Sequence, residues 1–90
     1  MLKLETTSRY RKDRKLMKKQ GKDMSLLLAI IRKLQNREVL DAKHRDHPLY
    51  GDYSGCRECH ITPDWLLIYL VDNEALALTA TRTGSHSDLF

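Results

Sequence analysis

The chain has little of what would place it in a membrane or in a disulfide-rich class of protein. It has only two cysteines among its 90 residues, and we expect both to be reduced thiols. Its longest apolar run, Trp65 to Val71, is far shorter than the roughly 20 residues that a membrane-spanning helix needs. Because no long apolar run follows the N-terminus either, we expect a single soluble, cytoplasmic domain over residues 1–90, with no membrane partner.

Acidic residues are scarce in the first part of the chain. Residues 1–37 hold twelve lysines and arginines against three acidic residues, whereas residues 38–90 hold four against nine. A strongly basic half on a small protein is typical of a surface that binds a polyanion, most often nucleic acid. The alternative is a solvated, charged helix without a ligand.

The first part of the chain reads as a strand followed by two helices. Alternating apolar residues at the N-terminus predict a short strand. A charged helix capped by Thr7 or Ser8 should run from Arg9 to Gln20 and stop at Gly21, and a second helix should begin at its cap, Asp23. The second helix has an apolar stripe at helical spacing, which we expect to be core. The stripe consists of Met24, Leu27, Leu28, Ile31 and Leu34.

Three strand-like runs, at about 55–62, 65–71 and 75–83, follow with short turns between them and predict an antiparallel meander. In the last run, alternation places Arg82 on the same face as Leu78 and Ala80. Residues 36–52 lose periodicity and should form a long, functional loop. The predicted class is therefore α+β, with two N-terminal helices packed on a small antiparallel sheet.

A Cys-x-x-Cys-His string at residues 56–60 matches the attachment pattern of c-type haem, with His60 as the iron ligand. A zinc site is a second alternative, in which His44 and His47 supply the missing ligands. On a strand, however, Cys56 and Cys59 would point to opposite faces, so their sulfurs would not converge. We therefore expect no metal and no cofactor.

Four short motifs follow one another in the second half of the chain. They are Asp46-His47-Pro48-Leu49, the segment Gly55 to His60, Pro63-Asp64-Trp65, and Arg82-Thr83-Gly84-Ser85-His86. With Phe90 at the end, this ordered set resembles the YafQ toxins of the RelE/ParE superfamily over the whole chain. The sequence departs from that pattern at Cys56, where an aromatic residue is expected, and at Cys59, where a small residue is usual.

The resemblance implies the toxin of a type II toxin–antitoxin pair. Such a toxin is a ribosome-dependent endoribonuclease that cleaves mRNA in the ribosomal A site without a metal, with a preference for A-rich codons. The implied partners are a cognate antitoxin, the ribosome with its 16S rRNA, and mRNA. The implied catalytic residues are His47, His60, Asp64, Arg82 and His86, and the implied substrate-binding residues are Trp65 and Phe90.

The chemistry of these side chains suits that reaction. Cutting RNA without a metal requires a base for the ribose 2′-hydroxyl, an acid for the leaving 5′-oxygen, and a cation for the charge on the phosphate oxygens. We predict that His47 is the base, that His86 is the acid, and that Arg82 stabilises the transition state. Asp64 would orient or stabilise an imidazole, and His60 would contact phosphate or share in proton transfer.

Two aromatic residues offer flat faces on which a splayed nucleotide can stack, Trp65 and Phe90. Trp65 has a second interpretation as a core residue of the central strand, and Phe90 has one as a frayed terminus. The basic half would dock on rRNA phosphates independently of sequence. The residues assigned to that contact are Arg9, Arg11, Lys12, Arg14, Lys15, Lys18, Lys19 and Lys22.

A different activity on the same fold stays open. ParE-like proteins of this superfamily poison DNA gyrase by binding and do not need this set of histidines. Substitution of His47 or His86 separates the two alternatives, because only the nuclease depends on them.

Overall fold

The computed structural model describes all residues 1–90 and has an α+β fold, as predicted. Three α-helices pack on one five-stranded sheet. In chain order the elements are β1 (Lys3–Thr6), α1 (Ser8–Lys19), α2 (Met24–Gln35), β2 (His47–Pro48), β3 (Arg57–Thr62), β4 (Trp65–Asp72), β5 (Ala77–Gly84) and α3 (His86–Leu89). None of the helices is long and apolar enough to cross a membrane.

The sheet has the strand order β1-β5-β4-β3-β2. Strands β3, β4 and β5 form the predicted antiparallel meander, and β2 pairs antiparallel with β3. The sheet is mixed because β1 runs parallel to β5. Strand β2 lies in the segment predicted to be a loop. It has only two residues, which is too short for an alternating pattern to show.

Local sequence signals set the limits of α1 and α2. The side chain of Thr7 accepts a hydrogen bond from the Tyr10 amide at the start of α1, and Gly21 follows that helix with a φ of 84°. The side chain of Asp23 accepts from the Ser25 amide at the start of α2. The predicted caps of both helices are therefore confirmed.

Helices α1 and α2 cover one face of the sheet, which we call the helix face. The main core lies there and includes Met17 and Leu27 from the helices and Leu67 from β4. Leu28, predicted to be core, is 48% exposed, and Ile30 is buried instead. The buried positions of α2 follow the spacing 27, 30, 31 and 34, which leaves Leu28 beside the stripe.

Strand β5 contains a β-bulge at Thr81. Ile68 of β4 pairs with Arg82, whereas the next residue of β4 pairs with Ala80, so Thr81 has no partner. One extra residue reverses the alternation of faces beyond it. Arg82 therefore lies on the face of Ile68, opposite the main core. The prediction that Arg82 shares a face with Leu78 and Ala80 is wrong for this reason.

Candidate active site

The sheet face turned away from α1 and α2, which we call the site face, carries a row of paired residues. The register places His47 opposite Glu58, Glu58 opposite Ile68, and Ile68 opposite Arg82. Directly paired residues point to the same face, and strands two apart are separated by about 10 Å. The row thus sets an imidazole and a carboxylate on one side of Ile68 and a guanidinium on the other. Leu89 of α3 packs on Ile68 in the middle.

The first of these sides is a histidine group, made of His47, Glu58 and His60. Nε2 of His47 lies 2.9 Å from Oε2 of Glu58, and one ligand atom from each of the three side chains lies within 4.8 Å of the others. The His47 side chain is 47% exposed, whereas that of Glu58 is only 6% exposed. The second carboxylate oxygen of Glu58, Oε1, is buried and has no hydrogen-bond partner.

Both ring nitrogens of His47 face acceptors. Nε2 faces the Glu58 carboxylate, and Nδ1 lies 3.1 Å from the carbonyl oxygen of Pro48. A neutral imidazole has one N–H, so only the imidazolium can donate to both acceptors at once. These two acceptors fix the orientation of the His47 ring at the edge of the sheet.

The histidine group also has the donors of a metal site. Two imidazoles and a carboxylate suit zinc or copper, and the unpartnered Oε1 of Glu58 supplies a free oxygen. The two cysteines of the haem-like string do not converge, because Cys56 packs on the site face and Cys59 in the main core. Burial raises the pKa of the Cys59 thiol to about 12, so it is not a thiolate ligand near neutrality.

Asp46 fixes β2 to the edge of the sheet beside His47. Its Oδ1 accepts a hydrogen bond of 2.6 Å from the Tyr69 hydroxyl and one of 3.2 Å from Nε of Arg57. Burial raises the pKa of Tyr69, and the bond to Asp46 raises it further, so the phenol remains a donor. The two-residue strand therefore has side-chain anchors in addition to its backbone pairing.

The second side of the site face is an arginine group, made of Arg82, Tyr53, His86 and Phe90. The Tyr53 hydroxyl lies 3.3 Å from Nη1 of Arg82, and the Tyr53 ring meets Phe90 edge-on at 5.6 Å. The His86 ring lies over Phe90 at 4.9 Å with a tilt of 32°. A continuous chain of contacts therefore joins the guanidinium to the imidazole of His86.

Arg82 is held by an acid that the sequence reading did not single out. Its Nε lies 2.6 Å from Oδ2 of Asp13, and its Nη2 lies 3.2 Å from Oδ1. These bonds raise the pKa of Arg82. An open cavity of about 800 Å³ lies beside this pair. It is lined by Arg9, Tyr50, Asp52, Tyr53, Arg82, Asp88, Leu89 and Phe90.

Helix α3 presents His86 and Phe90 through its own cap. The Ser85 side chain accepts from the Asp88 amide, and the Asp88 carboxylate accepts from the Ser85 amide. This capping box lowers the pKa of Asp88, chiefly through the bond from the Ser85 backbone. The four-residue helix is therefore closed at its start, and Leu89 fixes it to the sheet.

The structure brings most of the predicted site residues to one face, although no cavity contains them all. His47 and His60 lie in the histidine group, and Arg82, His86 and Phe90 lie in the arginine group. Asp64 is exposed in the turn between β3 and β4, and its carboxylate has no hydrogen-bond partner.

Trp65 does not belong to the site. It is 1% exposed on the helix face, and its Nε1 donates to Oγ1 of Thr83 at 2.9 Å. A ring buried in the core cannot stack on a nucleotide, so the prediction of a substrate-binding role for Trp65 is wrong. Its second interpretation, as a core residue of the central strand, is confirmed.

Three residues at the site were missed from the sequence: Asp13, Tyr53 and Glu58. Glu58 did have a signal, because it alternates with His60 on one face of a strand. Asp13 had a weaker one, as the only acidic residue in the basic helix α1. Tyr53 had none, since it lies in a 3₁₀ turn whose position depends on tertiary contacts.

The predicted rRNA-binding residues surround α1 instead of forming one patch. All except the half-buried Lys22 are exposed. Arg9 lines the cavity beside Arg82. Arg11 and Arg14 line a different, apolar groove between α1 and α2. Only part of the basic charge therefore faces the site.

Known proteins have sequences similar to that of this chain. Residues 2–90 match the family model of the bacterial toxin of type II toxin–antitoxin system, YafQ. The mRNA interferase toxin YafQ of Escherichia coli K12 is 41% identical over 88 residues, which is 97% of this chain and 94% of that protein.

Solved structures share its fold. A metal-bound toxin from Helicobacter pylori superposes with a TM-score of 0.94 at 41% identity, and the alignment covers 100% of both chains. A chain of the E. coli DinJ–YafQ toxin–antitoxin complex superposes with a TM-score of 0.88 at 39% identity, covering 100% of this chain and 99% of that one.

Proposed function

The chain belongs to the YafQ family of toxins from type II toxin–antitoxin systems, and on this premise we propose that it cuts mRNA in the A site of the ribosome. An mRNA interferase is an endoribonuclease, so the class of enzyme follows from the family. The complex of the E. coli relative with DinJ indicates that the partner of this chain is a cognate antitoxin.

One observation carries the proposed chemistry. His47, Glu58 and Arg82 lie in a single row across the site face, and Tyr53 and Phe90 connect Arg82 to His86. An RNA strand lying across this row would meet imidazoles on both sides of Ile68, and the guanidinium of Arg82 would lie near its phosphate oxygens. These are the groups that metal-free cleavage of RNA requires.

The hydrogen bonds favour a definite division of labour. His86 has no hydrogen-bond partner among the protein side chains and takes the proton of the 2′-hydroxyl, whose oxygen attacks phosphorus. His47, oriented by Glu58 and Pro48, gives a proton to the 5′-oxygen as the P–O5′ bond breaks. This order reverses the one predicted from sequence. The products are a 2′,3′-cyclic phosphate, which hydrolyses to a 3′-phosphate, and a free 5′-hydroxyl.

The remaining side chains have supporting roles. The end-on pair of Arg82 nitrogens, Nη1 and Nη2, neutralises the charge on the non-bridging oxygens. Phe90 is 56% exposed and stacks on a nucleotide base. His60 contacts the phosphate, and Asp64, exposed in the turn between β3 and β4, stabilises an imidazole once RNA is bound.

A bound metal has a defined place in this account. Since a related toxin from H. pylori is metal-bound, the residues of this chain that would hold such an ion are His47, Glu58 and His60. The ion would supply Lewis-acid chemistry there. No step of the proposed reaction uses it, because the proton on His47 does the same work at the leaving oxygen.

The basic helix supplies affinity for the ribosome. Its exposed lysines and arginines contact 16S rRNA phosphates, so binding should weaken steeply as salt rises. The place of action is therefore the cytoplasm, where the ribosomes are.

Cleavage on programmed ribosomes tests the proposal. Wild-type protein should cut mRNA within the A-site codon, and His86→Ala and Arg82→Ala should each lower the rate about 100-fold or more. Arg32→Ala, which replaces an exposed arginine of α2 outside both groups of the site, is the matched control and should cut normally. If cells producing His86→Ala or Arg82→Ala remained fully growth-inhibited, the nuclease account would fail and gyrase binding would replace it.

A further inference from the structure

We propose that Asp13 is a positioning residue that holds the guanidinium of Arg82 in the orientation in which it meets the phosphate. The inference rests on the proposed function, because it assigns Arg82 to the charged oxygens of the substrate. It adds a residue from the basic helix that no sequence motif pointed to.

The two forks of the guanidinium have different partners. The side-on fork, Nε and Nη2, binds both carboxylate oxygens of Asp13, at 2.6 and 3.2 Å. The end-on fork, Nη1 and Nη2, points toward Tyr53 and the adjoining cavity. Asp13 therefore occupies one edge of the planar group and leaves the other for an anion. An arginine restrained in this way loses less freedom when a phosphate binds.

The backbone around Arg82 depends on α1 as well. Strand β1 ends at Thr6, so the last residues of β5 have no strand beside them on that edge. Oδ2 of Asp13 accepts a hydrogen bond from the Thr83 amide at 3.2 Å, and the Thr7 hydroxyl donates to the Thr81 carbonyl at 2.7 Å. Helix α1 and its cap residue thus supply hydrogen-bond partners to the backbone of the bulge that turns Arg82 onto the site face.

Asp13 is an acidic residue in a basic helix, and its pairing with Arg82 explains why a negative charge is present there. Helix α1 has seven basic residues and one acidic one, and it lies on a surface that should attract RNA. A carboxylate there weakens attraction to phosphates. Both members of the pair are largely buried, with 12% of the Arg82 side chain and 16% of the Asp13 side chain exposed. A bidentate pair in that setting fixes an orientation much better than an exposed pair does.

The expected signature is a loss of rate without a loss of binding. In Asp13→Asn the guanidinium keeps its charge but loses its fixed orientation, and kcat should fall by about 10- to 100-fold, since a misplacement of 1 Å can have such an effect. KM should stay level or fall, because a negative charge has left the RNA-binding surface. Glu5→Gln removes an exposed acid from the same basic half and should leave kcat unchanged.

A double-mutant cycle separates this role from a general effect. In the Arg82→Ala background, Asp13→Asn should cause little further loss, because the two residues act as one unit. Asp13→Glu, which keeps the carboxylate, should recover part of the rate. In the wild-type protein the Nε–H of Arg82 should give an NMR signal protected from exchange with water, and in Asp13→Asn that signal should be lost.

These experiments test the positioning role of Asp13 separately from the proposed function. Full activity of Asp13→Asn beside an inactive Arg82→Ala would overturn the positioning role and leave the proposed function intact. Losses that add in the double mutant would overturn it too, as would an unprotected Nε–H in the wild-type protein. Full activity of Arg82→Ala would instead overturn the proposed function. Thermal unfolding of every variant shows whether a loss of rate comes from a loss of fold.

Discussion

His47 and Glu58 face each other across the β2–β3 pair, with Nε2 of the imidazole 2.9 Å from Oε2 of the carboxylate. Glu58 is a buried acid and His47 is half exposed, so the pair joins the interior of the sheet to its open edge. The carboxylate holds the imidazole ring in a fixed orientation. The proposed role of His47 as the acid depends on this contact.

Glu58→Gln should weaken the contact with His47 while keeping the volume of the side chain. A neutral amide holds the imidazole of His47 less firmly than a carboxylate does, so we expect single-turnover cleavage to slow by about 10-fold or more. Glu74→Gln, an exposed acid in the turn before β5, is the matched control. Equal rates of cleavage by Glu58→Gln and wild type would show that the carboxylate does not position His47 for the reaction.

Metal ions should inhibit this enzyme instead of activating it. Treatment with EDTA should leave cleavage unchanged, because the proposed reaction needs no metal. Added Zn²⁺ should slow cleavage by taking the nitrogen of His47 that delivers the proton, and His60→Gln should weaken this inhibition by removing a ligand. Loss of activity in EDTA with recovery on adding Zn²⁺ would contradict the metal-free mechanism.

Substitution of Trp65 should chiefly affect stability, and substitution of Phe90 should chiefly affect cleavage. Trp65→Phe loses the hydrogen bond to Thr83 inside the core and should lower the free energy of unfolding by about 1–2 kcal/mol, with normal cleavage per folded molecule. Phe90→Ala removes an exposed ring and should lower cleavage with a smaller effect on stability. Urea unfolding and single-turnover assays on both variants check this. Impaired RNA binding by folded Trp65→Phe would return Trp65 to the site.

Local sequence patterns, such as helix caps and the alternation of residues along a strand, predicted much of this fold. The caps at Thr7 and Asp23 and the alternation of Glu58 with His60 are all local, because each depends on neighbours along the chain. The bulge at Thr81 was not predictable in this way, since an extra residue in a strand has no distinct sequence pattern. It moved Arg82 to the opposite face.

The pairs that complete the site are the least visible in the sequence. Asp13 and Arg82 are 69 residues apart, and only the packing of α1 on the edge of β5 brings them together. Strand β2 is similar, because Asp46 meets Tyr69 across the sheet to hold its two residues in place. The charge distribution indicated a basic surface, and the order of the motifs indicated the set of histidines, but neither showed which acid each cation pairs with.

Alkaline pH should expose the buried thiol of Cys59. Its pKa is raised to about 12 from an ordinary 9.0, so between these values the unfolded chain binds fewer protons than the folded one. The contribution of the neutral thiol is therefore complete below pH 9 and is lost as pH rises toward 12. From pH 8 to pH 10 the free energy of unfolding should fall by about 1 kcal/mol more in wild type than in Cys59→Ala.

Urea unfolding at the two pH values measures that difference, and Cys56→Ala is the control. Cys56 is partly exposed, so its replacement should leave the wild-type pH dependence in place. Equal losses in wild type and Cys59→Ala would mean that the thiol is not buried as described.

The most direct test of attack by the ribose 2′-oxygen uses a substrate that lacks this oxygen. An mRNA with a single 2′-deoxyribose at the cleaved nucleotide, placed in the A site of a programmed ribosome, should resist the wild-type protein. The matching all-ribose mRNA should give a 2′,3′-cyclic phosphate or a 3′-phosphate and a 5′-hydroxyl. Cleavage of the deoxy-substituted strand at a comparable rate would contradict an attack by the 2′-oxygen, and with it the roles assigned to His47, His86 and Arg82.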